Sequence, residues 1–191
     1  MTLRLLPLAF VLLVASCGGG TIDNEAGGPT SARLSFVYYQ RCIEPILQAQ
    51  LDVNIGGEIS RNSCAGSGCH SNTSGTGGAL RIVPGAAPVD LSDAANTPDV
   101  VRTRDIYKNF YSAQGEVVPG NPGGSRLLNK PLVRNVLHGG GLIFESEADA
   151  NARRIAYWIN RPAPEGQDEF SSSADSMFTP PNPATGTCNT E

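Results

Sequence analysis

Two histidines serve the whole chain of 191 residues, and one of them closes the string Cys64-Ala65-Gly66-Ser67-Gly68-Cys69-His70. The other opens His138-Gly139-Gly140-Gly141. Two thiols followed at once by an imidazole are the arrangement that fastens a c-type haem to a polypeptide, ordinarily with two residues between the cysteines. Here there are four. The usual offset of three covers about one helical turn, so the excess must bulge outwards. Gly66, Ser67 and Gly68 suit such a bulge, because glycine accepts the backbone angles it requires. On this reading Cys64 and Cys69 bind one covalent haem c and His70 is the proximal iron ligand.

Haem potential depends on the sixth partner of the iron. The candidates are His138, Met177, Lys108 and Lys130. Met177 sits in a polar tail, and a lysine would first have to shed a proton. His138 stands at the end of a loop running from Pro131, with three glycines that let the backbone pass close to a flat ring. It is the expected axial ligand opposite His70, giving bis-histidine, low-spin iron. Two other uses of these residues stay open. Cys64 and Cys69 could close a small disulfide loop, and Cys64, Cys69, His70 and His138 satisfy the ligand count and types of a zinc site.

The N-terminus sets the compartment. Arg4, an apolar run from Leu5 to Val14 and small residues before Cys17 describe an export signal over residues 1–16. The run is too short to span a bilayer, which takes about 20 apolar residues. Val14-Ala15-Ser16-Cys17 resembles the lipobox of bacterial lipoproteins, which implies lipidation of Cys17 and a membrane anchor. Residues 17–32 read as a flexible linker. Export favours disulfides, and after lipid and haem have claimed three cysteines, Cys42 and Cys188 remain to pair. Such a bridge would pin the C-terminal tail to the first helix. The chain carries 14 basic against 18 acidic residues, which argues against nucleic acid as a partner.

One unit is expected over 33–164. Ser35 precedes an apolar helical stripe at Phe36, Tyr39, Ile43, Ile46 and Leu47, with Pro45 predicting a kink or break near Glu44. Asn54 to Ser63 reads as loop around Gly56-Gly57, and Leu80 to Val83 as a short strand. Thr97-Pro98-Asp99 starts a helix that carries Val101, Ile106 and Phe110 and ends at Gly115. Ser125 to Asn129 is a short helical turn. Ser146 to Asp149 reads as a capping box before a helix with Ala148, Ala152, Ile155, Ala156 and Ile159 on one face, stopped by Pro162. Residues 165–191 form a polar tail that reads as mostly disordered unless Cys188 ties it down.

From Phe36 to Pro164 the chain resembles the planctomycete-type cytochrome c domains. The pieces occur in order: Ile43-Glu44-Pro45-Ile46-Leu47, the four-spaced string Cys64 to His70, Gly78 to Ile82, Val117-Val118-Pro119-Gly120-Asn121-Pro122, and Ala156-Tyr157-Trp158-Ile159 before Pro162. The resemblance implies a mainly α, small, loop-rich helical domain around one haem, and electron transfer. Many relatives place a methionine beside proline where this chain has His138 and glycines, and the approach from Gln48 to Ser63 is longer than usual. The expected function is a monohaem cytochrome lipoprotein that carries single electrons between redox partner proteins in the periplasm or at the outer membrane. It is expected to be a carrier and not an enzyme, with haem-peroxidase activity open if His138 does not ligate. The alternative is a disulfide- or zinc-stabilised exported binding lipoprotein without redox activity.

Overall fold

The computed structural model describes residues 32–191. The leader, Cys17 and all but the last residue of the linker lie outside the described residues. Residues Ser31–Glu191 form one compact unit. Among the described residues no helix is long and apolar enough to cross a membrane.

The first helical run begins where Ser35 caps it, its hydroxyl accepting from the Tyr38 amide. It passes through α1 (Phe36–Tyr38), a π-helical segment (Tyr39–Ile43) and α2 (Glu44–Gln48). The widened segment lies just before Pro45, whose ring would clash with the carbonyl four residues back in a regular helix. The proline is therefore absorbed without a break. Ala49 and Gln50 lead into an antiparallel hairpin, β1 (Leu51–Ile55) and β2 (Glu58–Asn62). Gly56 and Gly57, at φ +63° and +98°, supply the two-residue turn that a hairpin of this hand needs. The segment read as loop is thus the larger of two small sheets.

After a long irregular stretch come α3 (Pro98–Arg102) and α4 (Asp105–Gln114). A single helix was expected there. The Thr103 hydroxyl instead donates to the Val100 carbonyl at 2.7 Å, and Arg104 is extended, so the chain turns between the two. A 3₁₀ turn (Pro122–Gly124) precedes α5 (Arg126–Asn129). The last helix, α6 (Ala150–Ile159), is capped by Asp149, whose carboxylate accepts from the Asn151 and Ala152 amides. The cap is thus Asp149 and not the box at Ser146. Leu80 to Val83 forms no strand, only an isolated bridge between Ser71 and Ile82.

The expectation of a mainly α domain is corrected. Among the described residues the longest α-helices have ten residues, two two-stranded sheets accompany them, and turns and loops make up much of the rest. With 22 Gly and 14 Pro, long helical repeats are interrupted too often to propagate.

The expectation of a disordered tail is also corrected. Cys42 and Cys188 are joined, with a Cα–Cα distance of 6.0 Å. A 3₁₀ helix (Ser172–Met177) leads into β3 (Phe178–Thr179), which pairs with β4 (Thr187–Cys188). Ala174, Met177 and Phe178 are buried in the same core as the helices. That core is aromatic: Phe36 meets Phe110 edge-on at 5.4 Å, Tyr39 lies 5.5 Å from Trp158, and Tyr38 lies 5.5 Å from Phe178. The Trp158 indole donates to the Ser35 carbonyl at 2.9 Å.

A buried carboxylate fastens the start of the tail. Glu169, with its side chain fully buried, accepts from Tyr107 at 2.6 Å and from Arg102 at 3.1 Å. Its other oxygen accepts no hydrogen bond among the described residues and faces Arg33 at 3.5 Å. Burial pushes this carboxyl up, but the Tyr107 and Arg102 bonds outweigh it and hold the group below its ordinary value. Tyr107 is pushed up to about 12 by burial and by the same carboxylate.

Candidate functional site

Cys64, Cys69, His70 and His138 line one cleft of about 430 Å³, within the size range of cofactor pockets. Leu51 and Val53 of β1 and Ile143 form apolar parts of its wall. The hairpin that sequence reasoning missed is therefore a wall of the site. Its signal was present, because Leu51-Asp52-Val53-Asn54-Ile55 alternates apolar and polar residues.

The cysteine string folds as a closed turn. The His70 amide donates to the Cys64 carbonyl at 2.8 Å, and the Cys69 amide to Gly66 at 3.0 Å. Ser67 and Gly68 protrude into solvent. The two extra residues are thus spent on the surface, while Cys64 and His70 stay neighbours. Neither Cys64 nor Cys69 is disulfide-bonded. Burial raises the Cys64 thiol to about 11, with Cys69 adding to the effect, and burial raises Cys69 as well. Both are protonated thiols at neutral pH.

Both imidazoles are held from behind by main-chain carbonyls. His70 Nδ1 lies 2.8 Å from the Gly77 oxygen and 3.2 Å from that of Leu80, and His138 Nδ1 lies 2.8 Å from the Gly141 oxygen. A carbonyl can only accept, so each Nδ1 carries a proton, which leaves Nε2 as the nitrogen that would bind a metal. Burial lowers the pKa of His138 against the pull of the Gly141 bond, and the charges of His70 and Lys130 lower it further. His138 is therefore neutral at neutral pH. The close support of His70 requires Gly77: a Cβ there would stand 2.8 Å from His70 Cε1 and 2.9 Å from its Nδ1.

The two rings are 6.3 Å apart between centres and 13° from parallel. A metal–imidazole bond takes about 2.0 Å and the ring centre lies roughly 1.1 Å behind the nitrogen, so two imidazoles on opposite sides of one ion have centres about 6 Å apart. On a tetrahedral ion the same bonds bring the centres to about 5 Å. Among the described residues no group of three or more His, Cys, Asp or Glu is placed to hold a metal ion. The ring separation matches an opposed pair of imidazoles on one ion and exceeds that of a tetrahedral pair.

Of the other ligand candidates, Lys130 lines the cleft. Lys108 is exposed and paired with Asp105 at 2.7 Å, and Met177, within the tail, is buried in the core and does not line the cleft.

Sequence reasoning also missed the residues that brace the His70 side. Glu44, nearly fully buried, accepts from Tyr39 at 2.6 Å and from Gln48 and Asn109 at 2.8 Å each. Gln48 and Asn109 both donate onward to the Val83 carbonyl at 3.0 Å, and Asn109 accepts from the Val83 amide at 2.6 Å. Val83 follows Ile82, whose amide donates to the His70 carbonyl at 2.8 Å. A single acid inside an apolar stripe was the available signal.

No family model matches the chain, and no match was found among curated proteins or solved structures.

Proposed function

We propose that this protein is a monohaem c-type cytochrome that carries single electrons in the cell envelope, attached to a membrane through lipid on Cys17. The observation that carries the reading is the pair His70 and His138: each Nδ1 is bound to a carbonyl, and the near-parallel rings are separated by the span of two ligands on opposite sides of one ion. Cys64 and Cys69 on the same cleft would form the two thioethers. Haem supplies a one-electron iron couple whose potential follows from its axial ligands.

The chain's own residues do the rest. The carbonyls of Gly77, Leu80 and Gly141 fix the tautomer and direction of the two imidazoles. Leu51, Val53 and Ile143 exclude water from part of the cleft. His70 and His138 would hold the group from its two sides, and the apolar wall would leave only part of it open to a redox partner. Of the competing reading, the zinc form is disfavoured by the ring separation and a Cys64–Cys69 disulfide loop by the open thiols.

The test is to produce the protein together with c-type maturation machinery and stain a denaturing gel for haem. A stained band, a Soret absorption that survives acidic acetone, and conversion to high spin in His138→Ala are expected. A colourless protein containing zinc would overturn the reading.

A further inference from the structure

The two axial histidines are supported very unequally. His70 is braced on both sides of the chain: its amide, its carbonyl and its Nδ1 are all engaged, and the flanking amides of Asn72 and Gly77 bond to Ile82 and Cys69. The two cysteines of its own turn would tether it further.

His138 hangs on a different kind of segment. None of the amides from Asn135 to Gly140 donates a hydrogen bond among the described residues. The partner of its Nδ1 is Gly141, three residues along the same loop, so that bond moves with the ring. Leu137 beside it is 89% exposed. The loop is also strained at its root. Val133 has φ +49° and Asn135 φ +52°, and for a β-branched residue this region is a true outlier. Val133 occupies the left-handed position after α5, where the Arg134 amide reaches back to the Asn129 carbonyl at 2.9 Å. Glycine or asparagine is the usual choice in that place. Strain of this kind collects at elements that switch, and segments poor in hydrogen bonds open first. Arg134 pairs with Glu147 at the root of the loop, the Gly141 amide donates to the His138 carbonyl at 2.8 Å, and Leu142 exchanges two 2.9 Å bonds with Asn54 of β1; the stretch from Asn135 to Gly140 lies between these fastenings.

We propose that His138 is a displaceable ligand, and that the loop from Val133 to Gly141 opens to admit a small neutral diatomic molecule of the carbon monoxide type to the reduced iron while His70 stays bound. This rests on the haem reading above. The step is a ligand substitution: the bond from His138 Nε2 breaks, one bond to the incoming carbon forms, and no electron or proton is transferred. The protein would then sense or bind such a ligand besides carrying electrons.

The experiment mixes the dithionite-reduced, haem-loaded protein with carbon monoxide and follows the Soret band. The expected result is full conversion to a carbonyl spectrum at a rate that levels off with rising carbon monoxide, because His138 departure limits it. Val133→Gly and Val133→Asn remove the strain that favours opening, so both should slow that limiting rate by about tenfold. Hydrogen exchange, read independently of the ligand, should show slower exchange of the hydrogen-bonded Gly141 and Leu142 amides in both variants. A six-coordinate reduced spectrum unmoved by carbon monoxide over hours overturns this proposal alone, as does an unchanged limiting rate in both variants. Absence of bound haem overturns this proposal together with the reading beneath it.

Discussion

The aromatic half of the molecule and the half that forms the cleft are held together by different means. Around Phe36, Tyr39, Phe110 and Trp158, side chains interlock at ring separations of 5.4 to 6.2 Å, and a disulfide and a buried carboxylate fasten the tail alongside. Around His70 and His138, positions are set by main-chain bonds and by clearances that only glycine leaves. Large apolar area stabilises the first half. The second contributes little of its own and takes its geometry from short loops anchored on the first. Stability and site geometry should therefore respond to different substitutions.

The sharpest way to break that comparison is Trp158→Ala. Truncating a fully buried indole costs about 4 kcal/mol, or roughly 10 °C in Tm for a domain of this size, as thermal unfolding would measure. The absorption spectrum of the surviving folded fraction should be unchanged. Cys42→Ser with Cys188→Ser opens a bridge between positions 146 residues apart and should lower stability by about 3 kcal/mol, read as a shifted denaturant midpoint.

Glu169→Gln weakens the fastening of the tail by about 2 kcal/mol, and its pH dependence identifies the cause. A carboxyl held below its ordinary value of about 4.3 contributes fully above that value, and the contribution disappears as pH falls through the lower folded value. The gap between parent and variant should thus be full at pH 7 and shrink below about pH 4. Tyr107, raised to about 12, adds an alkaline limb: its contribution is complete below pH 10 and is lost as pH rises towards 12. Urea titrations across pH would check both limbs. The smallest effect on stability belongs to Gly77→Ala, about 1.5 kcal/mol, because its methyl would stand 2.9 Å from the Cys69 carbonyl oxygen as well as against the His70 ring. Under the proposed haem reading, the displaced His70 ring should also cost the haem-loaded variant its low-spin spectrum.

Much of the site was legible because its residue types are scarce. Two histidines and five cysteines leave few combinations, and Cys64, Cys69, His70 and His138 do share one cleft. The fold was less legible. Gly56-Gly57 was read as punctuation within a loop, although two glycines between alternating segments are also a hairpin turn. The polar composition of 165–191 hid Ala174, Met177 and Phe178, three apolar residues that find places in a core built by distant helices. The division of the expected helix at Thr103 accompanies a bond from its hydroxyl to the Val100 carbonyl, and threonine makes the same kind of bond inside unbroken helices, so the residue type alone does not report the break. The mainly α expectation overweighted the helical stripes and gave no weight to pairing of the short extended segments.

Both imidazoles lean on neutral oxygens of the peptide backbone, with no acidic side chain behind them. A ring backed by an amide carbonyl keeps its hydrogen and stays a moderate donor, whereas one backed by an anion gains basicity and pushes more charge towards its metal. In the proposed cytochrome, the electronic character of the centre would thus be inscribed in the peptide chain itself, out of reach of most single codon changes. Placing an acid behind either ring would be the direct route to drive its potential downwards.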